Sequence, residues 1–209
     1  GKMKLNTGAK NLSIKKTLIV VTALLLIIVT VLVGSYVVVG ELKEQLHQNL
    51  EDVANQNAVA LGNKIQSNYL LLEGLSDKMH GVTPETIEET LQSFTPFIDD
   101  YELKRFAFCF PDGTSYSTDG GAADLSYRVF FKRGMEGKAT ISGVLSDALE
   151  ESHGLVNVMT IPIFDDNGNV EGVFGLTYNT QTFNNSLQID CFEGRGYSCA
   201  INEEGQIMV

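Results

Sequence analysis

Residues 18–39 read LIVVTALLLIIVTVLVGSYVVV, 22 consecutive positions without a charge. At about 1.5 Å of rise per residue, such a run spans roughly 33 Å as a helix, enough to cross a hydrocarbon core about 30 Å thick. A helix satisfies its own backbone hydrogen bonds there. A cleavable signal peptide has a shorter apolar run and small residues at its cleavage site, and ELKEQ at residues 41–45 offers no such site. A core helix of a soluble domain is rarely apolar on every side over this length. The run therefore predicts a membrane-spanning helix.

The flanks predict its orientation. Lys2, Lys4, Lys10, Lys15 and Lys16 precede the run without a single acid, whereas Glu41, Lys43 and Glu44 follow it. Positive residues stay on the cytoplasmic side. Residues 1–17 are expected in the cytoplasm, 18–39 in the lipid bilayer and 40–209 outside. The whole chain carries −11, so the +5 of the first sixteen residues leaves −16 on the rest. A nucleic-acid partner needs a basic footprint, so none is expected.

Beyond the membrane the pattern is helical. Leu42, Leu46, Leu50, Val53, Leu61, Ile65, Leu72, Leu75 and Met79 recur at steps of three, four or their multiples. Residues 40–82 are expected to form one long helix whose apolar stripe is interrupted at Asn57 and weakened at Gly62 and Gly74. The stripe suits a dimer stalk, a face packed on the domain, or both in succession. A second helix is expected from Thr83-Pro84, burying Ile87, Leu91 and Phe94 and ending or kinking at Thr95-Pro96.

The period then becomes two. Strands are expected over residues 103–110, 114–118, 139–142, 155–164 and 170–178, with turns at Pro111-Asp112-Gly113 and Asp165-Asp166-Asn167-Gly168. Short helices are expected over 125–135 and 180–187, and a chain break at Gly120-Gly121. Residues 197–209 read as strand, acidic turn, strand, like residues 106–117. Residues 188–209 are therefore expected to open a second, incomplete module, and the chain to be a fragment of a longer protein.

Few residues have the spacing of a catalytic or metal site. His47, His80 and His153 stand apart from any second ligand at metal spacing, so no metal is expected. The Asp165 turn carries its glycine fourth, where a calcium loop needs it sixth. No nucleophile elbow, phosphate-cradling glycine loop or H-E-x-x-H is present. Neither catalysis nor a cofactor is expected. Cys191 and Cys199 could be bridged outside the cell, and spacing leaves this open. Cys109, within a Phe-rich strand, reads as a small buried hydrophobe.

Tyr127-Arg128-Val129-Phe130-Phe131-Lys132-Arg133 gathers three cations and three aromatics in an otherwise acidic region. It reads either as a helix with a solvated basic face or as a pocket wall. In the pocket reading, Arg128 offers a fork to a carboxylate or phosphate, and the rings supply apolar or cation-binding surface.

These residues carry a resemblance to the extracytoplasmic double Cache sensor domains of bacterial transmembrane signalling proteins. The membrane helix, the long helix, SYRVFFKRGMEGKATIS, VNVMTIPIFDDNGNVEGVFGLTY and GRGYSCAINEEGQIMV follow in that family's order. The resemblance implies an α+β fold, with a membrane-distal PAS-like antiparallel module over residues 83–187 and the start of a membrane-proximal one over 188–209. It implies small-molecule sensing by a homodimer, with a carboxylate, amino acid, amine or purine as ligand. Arg128, Phe130 and Phe131 carry over as pocket residues. Tyr116, Ser142, Asp147, Thr177 and Tyr178 are further candidates near the family's pocket strands. Amino-acid-binding members have Trp-Tyr where this chain has Phe130-Phe131, and an acid near the position of Thr177. GVFGLTYNTQTF resembles sensors attached to diguanylate cyclases or hybrid histidine kinases.

Overall fold

The computed structural model describes residues 3–186, Ser152 excepted, and side chains between residues 14 and 183. The expected second module and Cys191 and Cys199 lie outside the described residues. The chain divides into two compact units, Gly1–Val53 and Ala54–Val209.

The first unit consists of helix α1, which as a whole runs Met3–Ser76. Its apolar residues are exposed all round, with Leu18, Leu24, Leu25 and Leu26 each more than half exposed. The threonine and serine hydroxyls in the apolar run turn back on the helix. Thr22, Thr30 and Ser35 donate to the carbonyls of Leu18, Leu26 and Val31 at 2.7–2.8 Å, which pairs these three groups in a medium without water. This is one helix long and apolar enough to cross a membrane.

In the second unit α1 continues through Asn57, Gly62 and Gly74 without a break, then tightens into a 3₁₀ turn at Asp77–Met79. A Cβ placed on Gly62 or Gly74 would meet nothing within 4 Å. Packing of the helix's apolar stripe outweighs their weak helix propensity. Leu72 and Met79 are wholly buried and Leu75 nearly so, with Leu61 and Ile65 packed against them. Asn68 completes the stripe. It is buried, accepts the Tyr178 hydroxyl at 2.8 Å and faces Met159 Sδ.

The next helix starts later than expected. Thr83 and Pro84 belong to a turn in which the Thr83 carbonyl accepts the Thr86 and Ile87 amides, and α2 spans Ile87–Gln92. Ile87, Leu91 and Phe94 are buried as the spacing predicts. Pro96 does not end this helix. It lies in the first turn of a new one, α3 (Thr95–Asp100), where a missing N–H has no intrahelical partner to lose.

Seven strands form one antiparallel sheet: β1 (Arg105–Cys109), β2 (Thr114–Ser117), β3 (Ala122–Asp124), β4 (Thr140–Ile141), β5 (Leu145–Ser146), β6 (Leu155–Phe164) and β7 (Val170–Asn179). The order is β3-β2-β1-β7-β6-β4, with β5 beside β6. β3 forms directly after the expected break at Gly120-Gly121, and β5 was not expected. Helix α4 spans Val129–Met135 only, and α5 spans Thr180–Ser186.

Alternation sorts the strands onto two faces. Phe106, Phe108, Met159, Ile161, Ile163, Phe174, Leu176 and Tyr178 join α1, α2 and Phe94 in the main core. Phe94, Phe106 and Phe174 pack with ring centroids 5.6–5.9 Å apart. The other face carries smaller and more polar residues, and α4 covers part of it.

Candidate functional site

The second face is built from the opposite parity of the same strands. Arg105, Ala107 and Cys109 on β1 lie beside Thr177, Gly175 and Val173 on β7, which in turn lie beside Val158, Thr160 and Pro162 on β6. Helix α4 settles on Val173 through Gly134. A Cβ there would stand 2.6 Å from a Val173 methyl, so only glycine permits this approach. Phe130 and Phe131 are buried on the same side with Cys109 and Leu125.

Two hollows meet beneath the start of α4. The inner one, about 40 Å³, has Ala107, Val158, Thr160, Gly175 and Thr177 as floor and the segment 145–149 as roof. The outer one, about 350 Å³, lies among Tyr127, Arg133, Thr140, Ile141 and Ser142. Arg128, Phe130 and Leu145 line both.

Arg128 is the N-cap residue of α4 and has an extended backbone. Its Nη2 donates to the Ser146 carbonyl at 2.7 Å, and its guanidinium carbon lies 5.0 Å from the Tyr127 ring centroid. Asp124 and Asp147, the acids that a surface role would offer it, are engaged elsewhere. Asp124 accepts the Ser126 amide, and Asp147 pairs with other cations.

Arg105 is completely buried, and sequence reading overlooked it. Its Nη1 and Nη2 donate to Asp147 Oδ1 and Oδ2 at 3.1 and 2.7 Å. Its Nε lies 2.8 Å from Asp119 Oδ2, close enough for charge pairing but outside hydrogen-bond geometry. Lys104 Nζ reaches Asp147 Oδ2 at 2.7 Å and Glu150 Oε2 at 2.5 Å. The Leu149 amide also donates to Asp147 Oδ1 at 3.0 Å. Burial pushes the Asp147 carboxyl up, but Lys104, the Leu149 amide and Arg105 together hold it below the usual range. Burial likewise opposes charge on Lys104, and its bonds to Asp147 and Glu150 outweigh that to raise it. Cys109 lines the inner hollow, where burial pushes its thiol up to about 12, so it remains protonated and inert. The parity of Arg105 with Ala107 and Cys109 is the signal that could have marked it as inward.

The predicted site residues divide. Arg128, Phe130, Asp147 and Thr177 line the inner hollow, and Arg128, Phe130 and Ser142 the outer. The Ser142 hydroxyl accepts the Val158 amide and donates to the Gly143 carbonyl, each at 2.8 Å. Phe131 packs in the adjoining apolar cluster and lines neither hollow. Tyr116 and Tyr178 do not join this group, and here the expectation is corrected. Tyr116 packs edge-on against Phe110, and Tyr178 lies in the main core with Asn68. Their parity turns both to the opposite face.

The histidines lie elsewhere. His47 is exposed on α1, His80 Nδ1 faces Glu171 Oε1 at 3.0 Å, and His153 Nδ1 faces the Asp147 carbonyl at 2.9 Å. The Asp165 carboxylate closes its own hairpin turn by accepting the Asn167 and Asn169 amides.

No protein-family model matches the chain, and no curated protein sequence does. Solved structures do share its fold. The ligand-binding domain of the Pseudomonas aeruginosa amino acid chemoreceptor PctC, in complex with GABA, superposes with a TM-score of 0.63 at 16% identity, covering 78% of this chain and 74% of that one. The sensory domain of the Campylobacter jejuni chemoreceptor Tlp3, with isoleucine bound, gives 0.62 at 12% identity, covering 80% and 71%. The ligand-binding domain of P. aeruginosa PctB, in complex with L-Arg, gives 0.58 at 22% identity, covering 76% and 66%. Over 76–80% of its length the chain therefore shares the α+β fold of these chemoreceptor sensory domains.

Proposed function

We propose that this chain is the small-molecule-sensing region of a membrane-anchored signal-transduction protein. The observation that carries the reading is the position of Arg128. Its guanidinium lines two adjoining hollows and is tied to a neutral carbonyl, the Ser146 C=O, instead of an acid. An arginine serving only as part of a scaffold surface would pair with Asp124 or Asp147. The fold shared with chemoreceptor ligand-binding domains supports the same reading.

In this proposal residues 1–17 are cytoplasmic, 18–39 span the membrane, 40–82 form the stalk and 83–187 the distal module outside. The lysine-rich start supports that orientation. The exposed Leu42, Leu46 and Leu50, spaced one turn apart, support a homodimer paired along the stalk. The chain's own role is binding, not catalysis. Ligand acts by its differential affinity for one conformation of the module. The resemblance of GVFGLTYNTQTF supports a diguanylate cyclase or histidine kinase as output. Chemotaxis is the second reading, and the structural neighbours, which are chemoreceptors, favour it.

The test is a thermal-shift screen of the full chain in detergent micelles against carboxylates, amino acids, amines and purines. A ligand of the native state raises the melting temperature by mass action. A hit lost in a folded Arg128→Ala variant supports sensing at this site. No shift across the library favours the alternative reading, a membrane-tethered protein-interaction scaffold that binds no ligand.

A further inference from the structure

The commitments of the charges around the two hollows select a ligand class, if the sensing reading holds. Among the described residues, Asp147 is the one acid that lines either hollow. Its Oδ1 accepts from Arg105 Nη1 and the Leu149 amide, and its Oδ2 from Arg105 Nη2 and Lys104 Nζ. A carboxylate has about four lone-pair sites, and these four donors occupy them. Asp119 and Glu150, which also answer Arg105 and Lys104, line neither hollow. A ligand ammonium entering here finds no uncommitted anion and lies close to cations, an environment that disfavours charge burial.

Arg128 is in the opposite position. One of its five N–H donors is held by the Ser146 carbonyl, a neutral acceptor. A charge-assisted bond to a carboxylate is roughly twice as strong as a neutral one, so an anion competes well for this guanidinium. Behind it the inner hollow is small and largely apolar, walled by Val156, Val158 and Val173 over Ala107 and Gly175. Its 40 Å³ is roughly three water-sized volumes, room for a tail of two or three carbons.

We propose that the site formed by Arg128, Phe130 and the apolar floor takes a small monocarboxylate with a short apolar tail and no α-ammonium group. The test is calorimetric titration of the full chain in micelles with matched pairs: propionate against alanine, butyrate against 2-aminobutyrate, isobutyrate against 2-aminoisobutyrate. The expected result is that each carboxylate binds about tenfold or more tightly than its amino-acid partner, and that Arg128→Ala loses the binding. Equal or tighter binding of the amino acids overturns this inference and leaves the sensing reading intact, as does a site that takes only amines or purines. Carboxylate binding that survives Arg128→Ala also overturns it. No binding by any class, in a chain whose circular dichroism shows it folded, overturns both.

Discussion

At the scale of single residues, the buried pair Arg105–Asp147 holds the segment 145–149 over the sheet. Removing Arg105 takes away two of the four donors to Asp147 and leaves it Lys104 and the Leu149 amide. Arg105→Ala is therefore expected to destabilise the module, by less than the about 3–5 kcal/mol of a buried pair whose remaining charge has no other partner, read as a shift in the chemical-denaturation midpoint. The same carboxylate gives a pH dependence. Its folded value lies below the usual one near 3.9. The unfolded chain thus binds the proton first on acidification, and Asp147's contribution is full above about pH 4 and is lost as pH falls through the lower folded value. Denaturation midpoints measured from pH 6 to pH 3 are expected to fall below about pH 4, and Asp147→Asn to flatten part of that fall. Arg105 was legible only in part. Strand parity marks it as inward with Ala107 and Cys109, but its partner lies 42 positions away in a segment with no regular pattern.

At the scale of elements, two glycines predict opposite outcomes. Gly134 is where α4 touches Val173, so Gly134→Ala must push the helix outward. It is expected to cost about 1–3 kcal/mol and to weaken ligand binding, since Arg128 and Phe130 ride on the same helix. Gly62 is exposed on α1 with open space around its Cβ. Gly62→Ala is expected to stabilise by about 0.5–1 kcal/mol through helix propensity alone. Thermal melts of the two variants beside the parent check both signs. The long strands β6 and β7 and their hairpin were legible because alternation, β-branched residues and the Asp165–Gly168 turn agree. The short strands β3 and β5 were not. Three residues at Ala122–Asp124 and two at Leu145–Ser146 are too few to show a period, and only their neighbours in the sheet make them strands.

At the scale of the whole molecule, an apolar helix exposed on all sides is incompatible with free solution. The full chain is expected to sediment with membranes, to resist extraction by high salt and to require detergent. In spheroplasts, protease added outside is expected to degrade the region beyond Gly40 and to spare a tag at the N-terminus. Protection of the exported region with loss of the tag would reverse the orientation proposed here.

The 22-residue apolar run and the change from a helical period to a period of two were set by the sequence alone, because each is a local property of spacing and charge. So was the burial of Ile87, Leu91 and Phe94, which share a face at helical spacing. Tertiary structure decided which parity of each strand meets α1 and which meets α4. Tyr116 and Tyr178 therefore left the expected pocket, while Asp147 and Thr177 stayed with Arg128 and Phe130. Alternation divides a strand's residues into two sets, but the sheet order β2-β1-β7-β6 and the helices laid on it assign each set to a face. The charge balance of the hollow has the same origin. Asp147 is an ordinary acid in the sequence, and it becomes a fully engaged one only where the fold brings Lys104, Arg105 and the Leu149 amide to its two oxygens.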